Sequence, residues 1–152
     1  MSATQKVASI LMAFLLLGIS LPALGQEAAP IPPGVSGIKA MSVNLTGEAA
    51  QATPGASGDA LVVLNPNRGT VCYRLNLSEM SPPTAAHIHE GAEGASGGPV
   101  LNFDLPANGL RGCVSDVDRQ LLSRIVREPS GFYVNVHNED HPGGVVRGQL
   151  AN

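Results

Sequence analysis

Ala60-Leu61-Val62-Val63-Leu64, then Asn65-Pro66-Asn67-Arg68-Gly69, then Thr70-Val71-Cys72-Tyr73-Arg74-Leu75-Asn76-Leu77 is the stretch on which the fold turns. The last segment alternates with a period of two: Val71, Tyr73, Leu75 and Leu77 fall on one face, Thr70, Cys72, Arg74 and Asn76 on the other. The first segment is an apolar run short enough to be a buried strand, and the Asn-Pro-Asn-Arg-Gly segment between them is a turn signal. Together they predict a β-hairpin. Upstream, Met41, Val43 and Leu45 alternate with Ser42, Asn44 and Thr46, a further half-buried strand.

Downstream the same grammar continues. Pro82 and Pro83 interrupt the chain, and Ala85 to His89 reads as a strand that enters the Gly-rich run Gly91 to Pro99. Val100 to Leu105, Phe132 to His137 and Val145 to Leu150 read as three more strands. Residues 115–127 predict the one helix: Ser115 as its cap, Asp116 and Asp118 in the first turn, and a stripe of Val117, Leu121, Leu122, Ile125 and Val126. Arg124 and Arg127 suit its last turn, and Pro129-Ser130-Gly131 ends it. The sum is a mainly β domain, an antiparallel sandwich or barrel with one short α-helix near 115–127.

Composition bounds the function. The 152 residues carry a net charge of −3 with 9 basic side chains, and 3% of them are aromatic, which supplies neither a phosphate-binding footprint nor a base-stacking platform. Nucleic acid is therefore excluded as an expected partner. The 18 glycines and 12 prolines suit many short strands joined by turns. Lys6 precedes an apolar run from Val7 to Leu17, and Ala23-Leu24-Gly25 places small residues before Gln26. This predicts a signal peptide over residues 1–25, cleaved after Gly25, because the run is shorter than the ~20 residues a spanning helix needs. Residues 26–36, with Pro30, Pro32, Pro33 and Gly34, read as a linker, and residues 37–152 as the domain. The expected product is exported, periplasmic or secreted, with no membrane span after cleavage. In that oxidising compartment Cys72 and Cys113 are expected to pair, closing a loop of about 40 residues worth about 3–4 kcal/mol.

The concentrated chemistry is four histidines near strand ends: His87, His89, His137 and His141. His87 and His89 leave one strand face with Cα atoms about 6.7 Å apart, close enough to converge on one ion. His137 can supply a third ligand if its strand lies beside theirs; His141 is the weaker candidate. Imidazole ligands suit copper or zinc. The competing reading has the same histidines holding loop backbone through their ring nitrogens. Glu90, Glu139 and Asp140 adjoin the cluster. The glycines of 91–98 neither follow a strand into a helix nor carry a lysine, so a phosphate-cradling loop is rejected.

His87-Ile88-His89-Glu90-Gly91, Gly94, Gly98-Pro99-Val100, Tyr133-Val134-Asn135-Val136-His137, Pro142-Gly143 and Arg147-Gly148-Gln149-Leu150 closely resemble the CHRD domain over roughly Val43 to Leu150. The resemblance implies a β-rich binding or structural module without implied catalysis, acting on an unidentified extracytoplasmic protein or ligand. Its recognition surface would be the two loops, with Glu90, Gly91, Gly94, Gly98, Asn138, Gly143 and Arg147. A more distant likeness is to Cu/Zn superoxide dismutase, another Greek-key sandwich: His87, His89 and His137 match its copper positions, and Gly143-Gly144 with Arg147 resemble its closing segment. No histidine lies between His89 and His137, so the bridging histidine and zinc loop have no counterpart. The alternative function is then a mononuclear copper- or zinc-binding protein.

Overall fold

The computed structural model describes residues 37–52, 54–105 and 110–152; the expected signal peptide and linker lie outside them. Eight strands form one antiparallel sheet: β1 (Lys39–Thr46), β2 (Ser57–Asn65), β3 (Thr70–Ser78), β4 (Pro83–Glu90), β5 (Pro99–Phe103), β6 (Arg111–Val114), β7 (Phe132–Asn138) and β8 (Val146–Gln149). Their order is β5-β4-β7-β8-β1-β2-β3-β6, and the sheet curls until β5 and β6 approach across a seam, nearly closing a barrel. Tyr73 spans that seam: its ring stacks on Phe103 at 4.4 Å and its hydroxyl donates to the Asp104 carbonyl. β7 lies beside β4 rather than β6, so the β6-to-β7 connection crosses over β5 and β4 in Greek-key fashion.

The hairpin forms as its alternation predicts, with Ala60 opposite Leu75 and Val62 opposite Tyr73. Met41, Val43 and Leu45 of β1, Val62 and Leu64 of β2, Val71 and Leu75 of β3, and Ile88, Val134 and Val136 all point into one core. The alternate residues face outward, and this decides where the histidines lie.

Two readings change. The helix, α1, runs Arg119–Arg127, with the Asp118 carboxylate accepting from the Gln120 amide at 2.8 Å. Ser115 is not its cap. Asp116 sits at φ 57°, which takes the chain off a helical path, and the Val117 amide donates to the Gly69 carbonyl at 2.9 Å instead. The 115–118 segment thus follows the β2–β3 turn rather than α1. Leu122 and Ile125 do join the core, as the apolar stripe requires. The second change is β6, a strand of four residues whose glycine breaks any apolar alternation.

Cys113 on β6 lies directly opposite Cys72 on β3, and the two are disulfide-bonded. The bridge clips the shortest edge strand onto the sheet.

Candidate metal centre

β4 pairs with β7 so that His87 faces Asn135, His89 faces Tyr133, and Ala85 faces His137. β7 pairs with β8 so that Asn135 faces Arg147 and Tyr133 faces Gln149. Because Val134 and Val136 point inward, these polar residues share the outer face of three adjacent strands. An outer face is usually wet. Here the 91–98 loop folds over it, and His89 (7% exposed), Tyr133 (3%), Asn135 (6%) and Arg147 (9%) are buried.

His87, His89 and His137 each offer a ring nitrogen, and these three atoms lie within 4.8 Å of one another. The closest pair is His87 Nδ1 and His137 Nε2, 3.0 Å apart. His89 Nδ1 is 2.8 Å from the Gly97 carbonyl, and His137 Nδ1 is 2.8 Å from the Pro142 carbonyl. A carbonyl oxygen only accepts, so both Nδ1 atoms carry hydrogen, and in the neutral ring each Nε2 then presents a lone pair. His137 Nε2 receives a hydrogen bond from His87 Nδ1. His89 Nε2 is buried with no partner.

A ligating imidazole commonly donates its second N–H to a carbonyl or carboxylate, which fixes ring and tautomer. His89 and His137 both meet that condition. An ion held at ~2.0–2.1 Å needs donor nitrogens ~3.3–3.6 Å apart, so the set requires one histidine to close by about an ångström. Burial pushes the His87 imidazole below its ordinary range, and the neighbouring His137 and His89 rings push the same way. Burial also lowers His137, opposed by the Pro142 carbonyl and assisted by His89. Both rings are thus held in the neutral form that a metal requires.

The other expected residues are placed as follows. His141 lies outside the group of three; its backbone amide donates to Asn138 Oδ1 at 2.8 Å. Glu90 makes a two-pronged ion pair with Arg124 of α1, at 3.1 and 3.0 Å. The Asp140 carboxylate accepts from the Ser81 hydroxyl. Gly91 is bound through its amide to the Gly131 carbonyl at 2.7 Å, and the Glu90 amide donates to the Gly98 carbonyl at 3.3 Å. Gly94 takes φ 78°, a left-handed conformation that suits glycine. Gly143 accepts from the Asn135 amide at 3.1 Å.

Arg147 is a buried loop clamp. It donates to the Ala95 carbonyl at 2.8 Å and the Ala92 carbonyl at 3.1 Å, with its guanidinium 3.4 Å over the Tyr133 ring. Gln149, two residues on and on the same face, was not singled out from sequence. Its amide nitrogen lies within 2.8 Å of the Gly91, Ser130 and Phe132 carbonyls. Its alternation with Arg147 was the available signal.

Beside His89 opens a cleft of about 170 Å³, lined among others by Tyr133, Asn135, Gly143 and Arg147. That is below the ~300–1,000 Å³ of pockets for organic cofactors and substrates. It leaves room for small species only.

The family comparison decides the lineage: residues 41–150 match the CHRD domain. The chain belongs to the CHRD family. No curated protein and no solved structure matches it. The matched span of this CHRD domain begins in β1 and ends just after β8, so it contains all of the sheet but Lys39 and Ala40, the disulfide and all three clustered histidines.

Proposed function

We propose that this CHRD domain is an exported module that binds one copper or zinc ion through His87 Nδ1, His89 Nε2 and His137 Nε2, with the His87 hydrogen shifting from Nδ1 to Nε2 as the ion replaces the His87–His137 hydrogen bond. The observation that carries the reading is His89: its Nδ1 is committed to Gly97, while its Nε2 is buried and unpartnered in a ring whose centroid lies 5.6 and 6.0 Å from those of His87 and His137. An orphaned buried acceptor costs about 1–3 kcal/mol, and a bound cation would remove that cost. Three imidazole nitrogens on adjacent strands match the preferences of both metals, with the remaining position open to water or a small ligand from the cleft.

The residue 1–25 pattern, the Cys72–Cys113 bridge and the family support export. Among the described residues no helix is long and apolar enough to cross a membrane. The role is binding rather than catalysis: of the carboxylates that adjoin the cluster in sequence, Glu90 and Asp140 are engaged with Arg124 and Ser81.

Purification without an affinity tag, metal analysis and copper and zinc titrations test the proposal. One ion per chain, and at least ~100-fold weaker binding by His89→Ala, are expected. Stoichiometry well below one in both titrations would overturn it. Robust turnover of superoxide or another small substrate by the loaded protein would keep the site and overturn the non-catalytic role.

A further inference from the structure

The three ligands alone do not explain why the site face is buried or why Arg147 sits where it does. Among the described residues Arg147 has no carboxylate partner, yet its guanidinium is withdrawn from water. Burying an unpaired charge is costly, and what offsets that cost here is a set of contacts that all lead to His89. The guanidinium lies 3.4 Å over Tyr133, and Tyr133 stacks on His89 with centroids 4.9 Å apart and planes 19° from parallel. Arg147, Tyr133 and His89 therefore form a three-layer stack in which the cation covers one end and a metal ligand the other.

A second path reaches the same imidazole. Arg147 donates to Ala92 and Ala95, the two ends of a turn closed by the Ala95 amide donating to the Ala92 carbonyl at 3.0 Å. Two residues beyond that turn is Gly97. Its amide lies 3.2 Å and its carbonyl 3.3 Å from the Tyr133 hydroxyl, and the same carbonyl accepts from His89 Nδ1 at 2.8 Å. Both paths end on the ring whose other nitrogen is unpartnered.

We propose that Arg147 and Tyr133 are positioning residues for the metal site: they seat the 92–97 segment so that the Gly97 carbonyl fixes His89 in the tautomer that presents Nε2. The inference rests on the metal reading for its purpose but not for its geometry. Arg147 suits this task because its planar fork reaches two carbonyls at once, which a lysine ammonium on a flexible stem does not reproduce.

The test uses the full chain. In the metal-free, ¹⁵N-labelled protein, imidazole ¹⁵N shifts report the His89 tautomer. The wild type is expected to show hydrogen on Nδ1, and Arg147→Lys and Arg147→Ala a mixture or hydrogen on Nε2. Copper affinity should fall about 10-fold or more in Arg147→Lys, the loss typical when the partner of a ligating histidine is removed. In a His89→Ala background the same substitution should change it less than about 2-fold, because Arg147 then has no ligand to act through. An unchanged tautomer in both Arg147 variants, or equal losses with and without His89, overturns the inference. Should Arg147→Ala fail to fold, Arg147→Lys and Tyr133→Phe, which removes only the hydroxyl contacts to Gly97, carry the same readouts. If the wild type binds neither copper nor zinc, the metal reading fails while the tautomer measurement still decides this one; if it binds zinc alone, zinc replaces copper in the affinity comparison.

Discussion

Adding one methyl group at Gly97 tests the link between loop and ligand most directly. A Cβ built there lies 1.6 Å from the Glu90 carbonyl oxygen and 2.9 Å from its carbon, both backbone atoms, where real Cβ contacts stay beyond 3.0 Å. The strand and the loop must then separate by at least 3.0 − 1.6 = 1.4 Å. Glu90 follows His89, so the gap between strand and loop opens next to the His89–Gly97 hydrogen bond. Opening it takes the 2.8 Å contact as far as 2.8 + 1.4 = 4.2 Å, beyond hydrogen-bond reach. His89 would lose the partner that holds hydrogen on Nδ1.

Two magnitudes follow. Losing that partner is worth about 10–100-fold in metal affinity, or about 1.4–2.8 kcal/mol. Overpacking costs about 1–3 kcal/mol of fold stability, which lowers the melting midpoint of a domain this size by about 4–12 °C. The assay for Gly97→Ala is a chelator-competition titration alongside circular dichroism melting of the metal-free protein. Gly98→Ala is the control, since a Cβ there meets nothing within 4 Å. A Gly97→Ala protein with wild-type affinity and midpoint would refute the coupling of loop to ligand.

Replacing both Cys72 and Cys113 by serine releases a bridge closing 41 residues, for which loop entropy gives about 4 kcal/mol, a midpoint lower by about 15 °C. A shift under about 3 °C by the same melting assay would count against a cross-link that constrains the unfolded chain. The imidazoles of His87 and His137 are held below the ordinary value of 6.5, so the unfolded chain takes up protons first. Their contribution to stability is present above about pH 6.5 and lost as pH falls through the lower folded values. Denaturant unfolding of metal-free protein should weaken between about pH 7.5 and pH 5, and weaken less in the His87→Gln/His137→Gln variant; an equal loss in both would contradict the shifts. Arg124→Ala removes an ion pair whose side chains are both 49% exposed. It should cost no more than about 1 kcal/mol and leave copper affinity unchanged, so a loss of affinity would show that Glu90 bears on the site.

Most of the fold was legible because its signal is local. The alternation of Val71, Tyr73 and Leu75 reports the inward face of β3 without reference to the rest of the chain, and the same holds for Val134 and Val136 on β7. β6 was illegible because a strand of four residues with Gly112 in it is too short to show a period. The start of α1 was misplaced for a different reason. Ser115 and Asp116 satisfy the local rules for a cap, but the Val117 amide is claimed by the Gly69 carbonyl, 48 residues earlier in the chain, and a backbone acceptor leaves no mark in the sequence.

The same distinction separates the two halves of the site. The ligand candidates were legible because convergence needs only the two-residue spacing of His87 and His89 and one strand pairing, β4 with β7. What holds them was not, because Arg147 acts on the carbonyls of Ala92 and Ala95, 55 and 52 residues away, and His89 on that of Gly97. A carbonyl belongs to every residue type, so those acceptors could be any sequence at all. The one side of the contact that sequence does constrain is size. The Gly97 backbone lies against Glu90 so closely that no Cβ fits, and at Gly91 a Cβ would come within 3.1 Å of the Tyr133 ring. Gly91 and Gly97, which the sequence shows only as part of a Gly-rich run, are better understood as the steric condition for closing the 91–98 loop over His89. Flexibility in that loop would defeat the tautomer lock; closeness makes it possible.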